Sequence, residues 1–210
     1  MALDLRMNPW LSMWVRPRET IRAIVDANPK YRFFVLSIIY GLPVLLNVAQ
    51  NSSLAEVWPF VMTIAAALIL SPLIGLIGIT IASVLLYVTG KWVGGKASFL
   101  EVRAAMCWSN VTNVANIILW IILMAMFGNA LFCVTFPQMT FSTPQMTVLG
   151  FIFLAQFVIA IWGFIILLKA LGEVQGFSAW KALLNVIIPF AIVMFTVWLV
   201  GWIFWSIKSM

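Results

Sequence analysis

The sequence has no histidine, two cysteines and few charges: 9% of its 210 residues are Asp, Glu, Lys or Arg, and 6 of them are acidic. Cys107 and Cys133 fall near opposite ends of one expected helix, so neither an internal disulfide nor a His/Cys metal site is expected. No expected span interior contains Asp, Glu, His, Lys or Arg, so acid–base catalysis and proton relays lack their usual parts. An enzyme is therefore the weakest class, with no catalytic residues, metal or cofactor expected.

What the chain does have is apolar surface. It is 64% hydrophobic, with mean hydropathy +1.11 and 11 tryptophans. A soluble domain of that composition could not cover its surface with polar groups, so the expected class is an all-α polytopic bundle integral to a membrane. The net charge of +6 lies between apolar runs rather than on one polar face, which argues against a nucleic-acid partner.

Residues 1–32 form a charged segment, with Asp4, Arg6, Arg16, Arg18, Glu19, Arg22, Asp26, Lys30 and Arg32. It is too polar and too long for the n-region of a cleaved signal, so the first span is expected to act as an uncleaved anchor. Asn8 before Pro9 is a candidate helix start, and Pro17 opens a second helix through Ala27. Ile21, Ile24 and Val25 make an apolar edge there. The pattern predicts an amphipathic interfacial helix lying in the membrane plane, with tryptophan at head-group depth and Arg16, Arg18 and Arg22 on phosphates. The alternative is a solvated cap packed on the bundle.

The remainder, 33–210, reads as a five-span domain with spans at about 33–54, 71–91, 104–127, 148–169 and 182–206. Val57 to Gly90 carries no charge and exceeds one span, while Pro59 and Pro72 divide it. Residues 57–70 are therefore read as an in-plane or re-entrant lead-in, or as the first turns of one long tilted helix. Lysine and arginine cluster before the first span, between the second and third, and between the fourth and fifth. This predicts a cytoplasmic amino terminus and an outside carboxyl terminus.

The organising stretch is Ser71 to Asn116. Ser71, Gly75, Gly78 and Ala82 share one helix face, a small-residue surface for close packing. Gly94 and Gly95 allow a sharp reversal, and Ser98 with Glu101 has capping-box spacing, so a helix is expected to start near Phe99. Lys91, Lys96 and Arg103 flank this turn; they suit anionic lipid head groups, or serve simply as positive-inside anchors. The spacing of a phosphate-binding loop is absent. Further on, Ser109, Thr112, Asn113 and Asn116 form a polar stripe with Asn110 beside them. Such a stripe either lines a path for water or head groups, or hydrogen-bonds across helices. Gly95, Ser98 and Ala104 are echoed by Gly176, Ser178 and Ala182 after the fourth span, a hint that spans two and three repeat as four and five.

Several segments together resemble the bacterial branch of the Yip1 family. They are Asn8-Pro9-Trp10, Arg16 to Arg22, Ser71-Pro72-Leu73-Ile74-Gly75, Gly90 to Ser98 with Glu101 to Ala105, and Glu173 to Ala182. The resemblance implies a five-span membrane protein with a cytoplasmic amino terminus and no catalytic residues. In eukaryotic relatives it implies vesicle trafficking with small Rab-type GTPases. The long cytoplasmic amino-terminal region of those relatives is absent. The expected function is a non-enzymatic scaffold or adaptor of the Yip1 type in a bacterial inner membrane, acting through helix packing, anionic lipids and a membrane protein partner. The alternative is a homo-oligomer that handles lipid or passes a small solute.

Overall fold

The computed structural model describes residues 7–133 and 141–208; Asp4, Arg6 and Pro137 lie outside them. Among the described residues there are helices and turns but no strand. Two short helices come first, α1 (Pro9–Val15) and α2 (Pro17–Ala27), followed by α3 (Phe33–Asn51), α4 (Phe60–Trp92), α5 (Phe99–Ser109), α6 (Asn113–Phe127), α7 (Thr143–Gln175) and α8 (Ala179–Lys208). A tight turn at Asn110–Thr112 joins α5 to α6, and the two act as one span. Five helical stretches are thus long and apolar enough to cross a membrane.

The second span differs from the shorter expectation. α4 runs unbroken for 33 residues from Phe60, about 50 Å of helix against a hydrocarbon core of roughly 30 Å. Residues 60–70 are its first turns, neither re-entrant nor in-plane. Pro72 is tolerated because the Leu68 carbonyl, which its missing N–H leaves free, accepts from the Ser71 hydroxyl at 2.9 Å. The helix that holds the fourth expected span, Thr143–Gln175, extends past 148–169 at both ends.

α3 and α4 form the most intimate pair. A Cβ on Gly41 would run into the Ser71 carbonyl oxygen, and one on Gly75 into the Ser37 carbonyl oxygen, so backbone meets backbone. On α4 the buried register is Thr63, Ala67, Ser71, Gly75, Ile79 and Ser83. The expected face therefore keeps Ser71 and Gly75 but continues through Ile79 and Ser83. Gly78 faces the Tyr40 ring instead, and Ala82 is half-buried.

The basic residues gather at one end. Gly94, at φ +89°, ends α4 in a Schellman arrangement, in which Gly95 N–H donates to Gly90 O at 2.7 Å and Gly94 N–H to Lys91 O at 3.1 Å. Ser98 and Glu101 then cap α5 reciprocally. Gly176, at φ +72°, ends α7 likewise, and Ser178 Oγ accepts from Lys181 N–H as α8 begins. The two reversals lock together: Lys96 N–H donates to Gln175 O, and Ala97 N–H to Gln175 Oε1.

The apolar edge of the amino-terminal helices packs on protein, the contact of the solvated-cap alternative. Asn8 caps α1 through Trp10 N–H and α2 spans Pro17–Ala27 as expected, but Ile21, Ile24 and Val25 are buried against the bundle, with α2 on α7 and α5. Trp10 meets the fully buried Trp108 edge-on at 5.3 Å, and Tyr31 stacks on the same indole at 6.0 Å. Ile21, Ile24 and Val25 thus leave water by packing on protein.

Candidate functional site

The polar stripe gathers at a groove between α5–α6 and α7. The groove has a volume of about 280 Å³ and is lined by Ser109, Asn110, Thr112, Asn113 and Asn116 from one side and Gln156 and Gly163 from the other. Its rim residues Ala160 and Phe164 are exposed. Met106 O accepts from both Ser109 Oγ (2.8 Å) and Asn110 Nδ2 (2.7 Å). Side chains that bond the preceding turn compete with the helix ladder, which fits the tight turn at Asn110–Thr112. The turn shifts Asn113 and Asn116 onto the α7 side, where Asn113 Nδ2 donates to Asn110 Oδ1 (3.3 Å).

From α7, Gln156 Nε2 donates to Asn116 Oδ1 at 3.2 Å. Gly163 lets the two helices close: a Cβ there would lie 2.7 Å from Thr112 Oγ1. Gln156 escaped the sequence reading, although it is the single amide in the uncharged run from Val148 to Leu168. That isolation was the available signal. The lining holds amides and hydroxyls and no titratable group. It can therefore accept and donate hydrogen bonds but cannot exchange protons.

The residues assigned to lipid head groups separate into classes. Arg22 grips α7: its Nε lies 3.2 Å from Glu173 Oε1 and Nη2 donates to Glu173 O at 2.8 Å. Arg16 is exposed and lies 3.7 Å from Glu19. Arg18 and Lys96 are exposed. Lys91 and Arg103 rest on aromatic rings. The turn glycines differ too: Gly94 faces open space, whereas Gly95 is buried against the Gln175 carboxamide. A larger cavity at the opposite end is lined by Gln50, Leu131, Phe141 and Phe153 among others.

The Yip1 domain family model matches residues 11–200, from within α1 to within α8. The chain belongs to the Yip1 family. The match takes in most of the amino-terminal cap, the first four spans, most of α8 and the groove, and singles out no branch of the family. No curated protein and no solved structure matches the chain. As a Yip1-family member with five apolar helices long enough to cross a bilayer, it is an integral membrane protein.

Proposed function

We propose that this Yip1-family protein is a non-enzymatic scaffold or adaptor of a bacterial inner membrane, with its basic end cytoplasmic, that holds a membrane protein partner through the groove between α6 and α7. The observation that carries this reading is the amide-lined groove, open at Ala160 and Phe164. Polar groups facing hydrocarbon lower their free energy by pairing, and a neighbouring helix with a polar side chain is the usual partner. At about 280 Å³ the groove falls just below the roughly 300–1,000 Å³ of typical small-molecule pockets, yet has room for one or two side chains. Beyond Pro189, α8 is exposed from Phe190 to Trp205, leaving further apolar helix surface beside α7.

Native mass spectrometry of protein extracted gently from its own membrane tests this. A second polypeptide in fixed ratio, released by Asn113→Leu, is the expected result. A homo-oligomer holding only lipid, together with lipid scrambling or solute flux in liposomes, would replace the adaptor by a lipid-handling or permeation protein.

A further inference from the structure

Arg103 lies in the second turn of α5, at the basic end. Its guanidinium carbon sits 4.3 Å from the centroid of the Phe33 ring and 5.6 Å from that of Phe99. Its Nε is buried without a hydrogen-bond partner. Among the described residues the ion pairs are Arg16 with Glu19 and Arg22 with Glu173, so no carboxylate pairs with Arg103. Glu101, the acid nearest in sequence, accepts from Ser98 N–H at 2.6 Å as part of the α5 cap.

A cation that only anchors the chain extends into water. This one is folded onto two apolar rings, with part of its fork shielded from solvent. The rings compensate some of the lost hydration through cation–π attraction, but a shielded N–H still lacks an acceptor. The surroundings add positive potential. Phe33 opens α3 and Phe99 opens α5, so two helix amino termini face this corner. Phe99 meets Tyr87 edge-on at 6.2 Å, and Lys91 Nζ lies 5.3 Å from the Tyr87 centroid, a second cation on the same aromatic cluster. Arg32, the residue preceding α3, is exposed beside Tyr31.

We propose that Arg103, held between Phe33 and Phe99 with Lys91 as second cation, binds the phosphate of an anionic membrane lipid. The two terminal nitrogens of Arg103, unlike Nε not buried without a partner, match two phosphate oxygens, which Lys91 alone does not. The aromatic walls and the helix ends set the site at head-group level, where a lipid phosphate arrives with acyl chains that pack on apolar rings. This site is independent of the groove between α6 and α7.

The test is titration of the detergent-purified chain with phosphatidylglycerol and phosphatidylcholine, read by native mass spectrometry. The intact chain retains phosphatidylglycerol preferentially. Arg103→Gln weakens that retention on the order of tenfold, the loss of one charged hydrogen-bonding group. Arg103→Lys, which keeps the charge and guards against misfolding, weakens it by a smaller factor. Lys169→Gln, which removes a cation from the same end without an aromatic cradle, leaves it unchanged. Excess inorganic phosphate does not displace the lipid. Equal retention of both lipids, equal behaviour of Arg103→Gln and Lys169→Gln, or displacement by inorganic phosphate would each overturn the proposal.

Discussion

The Thr89 hydroxyl of α4 lies 3.1 Å from the backbone carbonyl oxygen of Asn185 in α8 and 2.6 Å from its side-chain Oδ1. That carbonyl is the one Pro189 leaves without an intrahelical donor. Nearby, Gln175 Nε2 and Asn185 Nδ2 are both buried without partners, and both flank Gly90. The single Thr89 hydroxyl proton is shared among Asn185 Oδ1, Asn185 O and, within its own helix, Leu85 O at 2.8 Å. Thr89→Val then leaves a carbonyl and an amide unpaired and destabilises the chain by about 1–2 kcal/mol. Thermal unfolding in nanodiscs, with hydrogen exchange at the start of α8, checks this. Unchanged exchange there would refute the network.

Gly75 and Gly41 are packed against carbonyl oxygens, not side chains. A methyl at either position cannot be accommodated by a rotamer change, so Gly75→Ala is expected to cost about 1–3 kcal/mol or more through forced separation of α3 and α4. Gly78→Ala is the comparison. Its Cβ would lie 2.9 Å from Tyr40 Cε1, and that side chain can turn away. A larger loss of unfolding temperature for Gly75→Ala than for Gly78→Ala is the expected order.

These contacts mark what the sequence could and could not tell. Features fixed by neighbouring residues were legible: Asn8 before Pro9, the start of α2 at Pro17, and the Ser98–Glu101 cap. The stripe from Ser109 to Asn116 was legible as a face, because helical spacing alone defines it. Its partner Gln156 was not, because which face of α7 meets α6 depends on Gly163 and on the turn at Asn110–Thr112. Pro72 argued for a break, and the Ser71 side chain that compensates it lies one residue away, a tertiary-free remedy overlooked. The apolar edge of α2 fitted lipid and protein equally well. Only packing on α5 and α7 distinguishes them.

The Arg22–Glu173 pair fastens the amino-terminal cap to α7. Both side chains are partly exposed, at 43% and 30%, so the ion pair contributes only about 0.2–1 kcal/mol. Arg22→Ala thus leaves the bundle folded but loosens the cap, and faster proteolysis within residues 7–32 is expected. Proteolysis at the rate of the unaltered chain would mean that Ile21, Ile24 and Met13 hold the cap by burial alone.

The Asn116–Gln156 hydrogen bond joins the two walls of the groove at 3.2 Å, which allows packing to be separated from partner binding. Asn116→Leu and Gln156→Leu each remove the bond. In a double-mutant cycle on the isolated protein their coupling is expected at about 0.6–1 kcal/mol, the usual size inside membranes. Asn113 bonds only within its own stripe, to Asn110 at 3.3 Å, among the hydrogen bonds described. Asn113→Leu should therefore change stability by less than Asn116→Leu while costing more of any partner retained on extraction. If instead both variants lost stability equally and kept the partner, the stripe would serve helix packing alone, and the partner would have to bind another face.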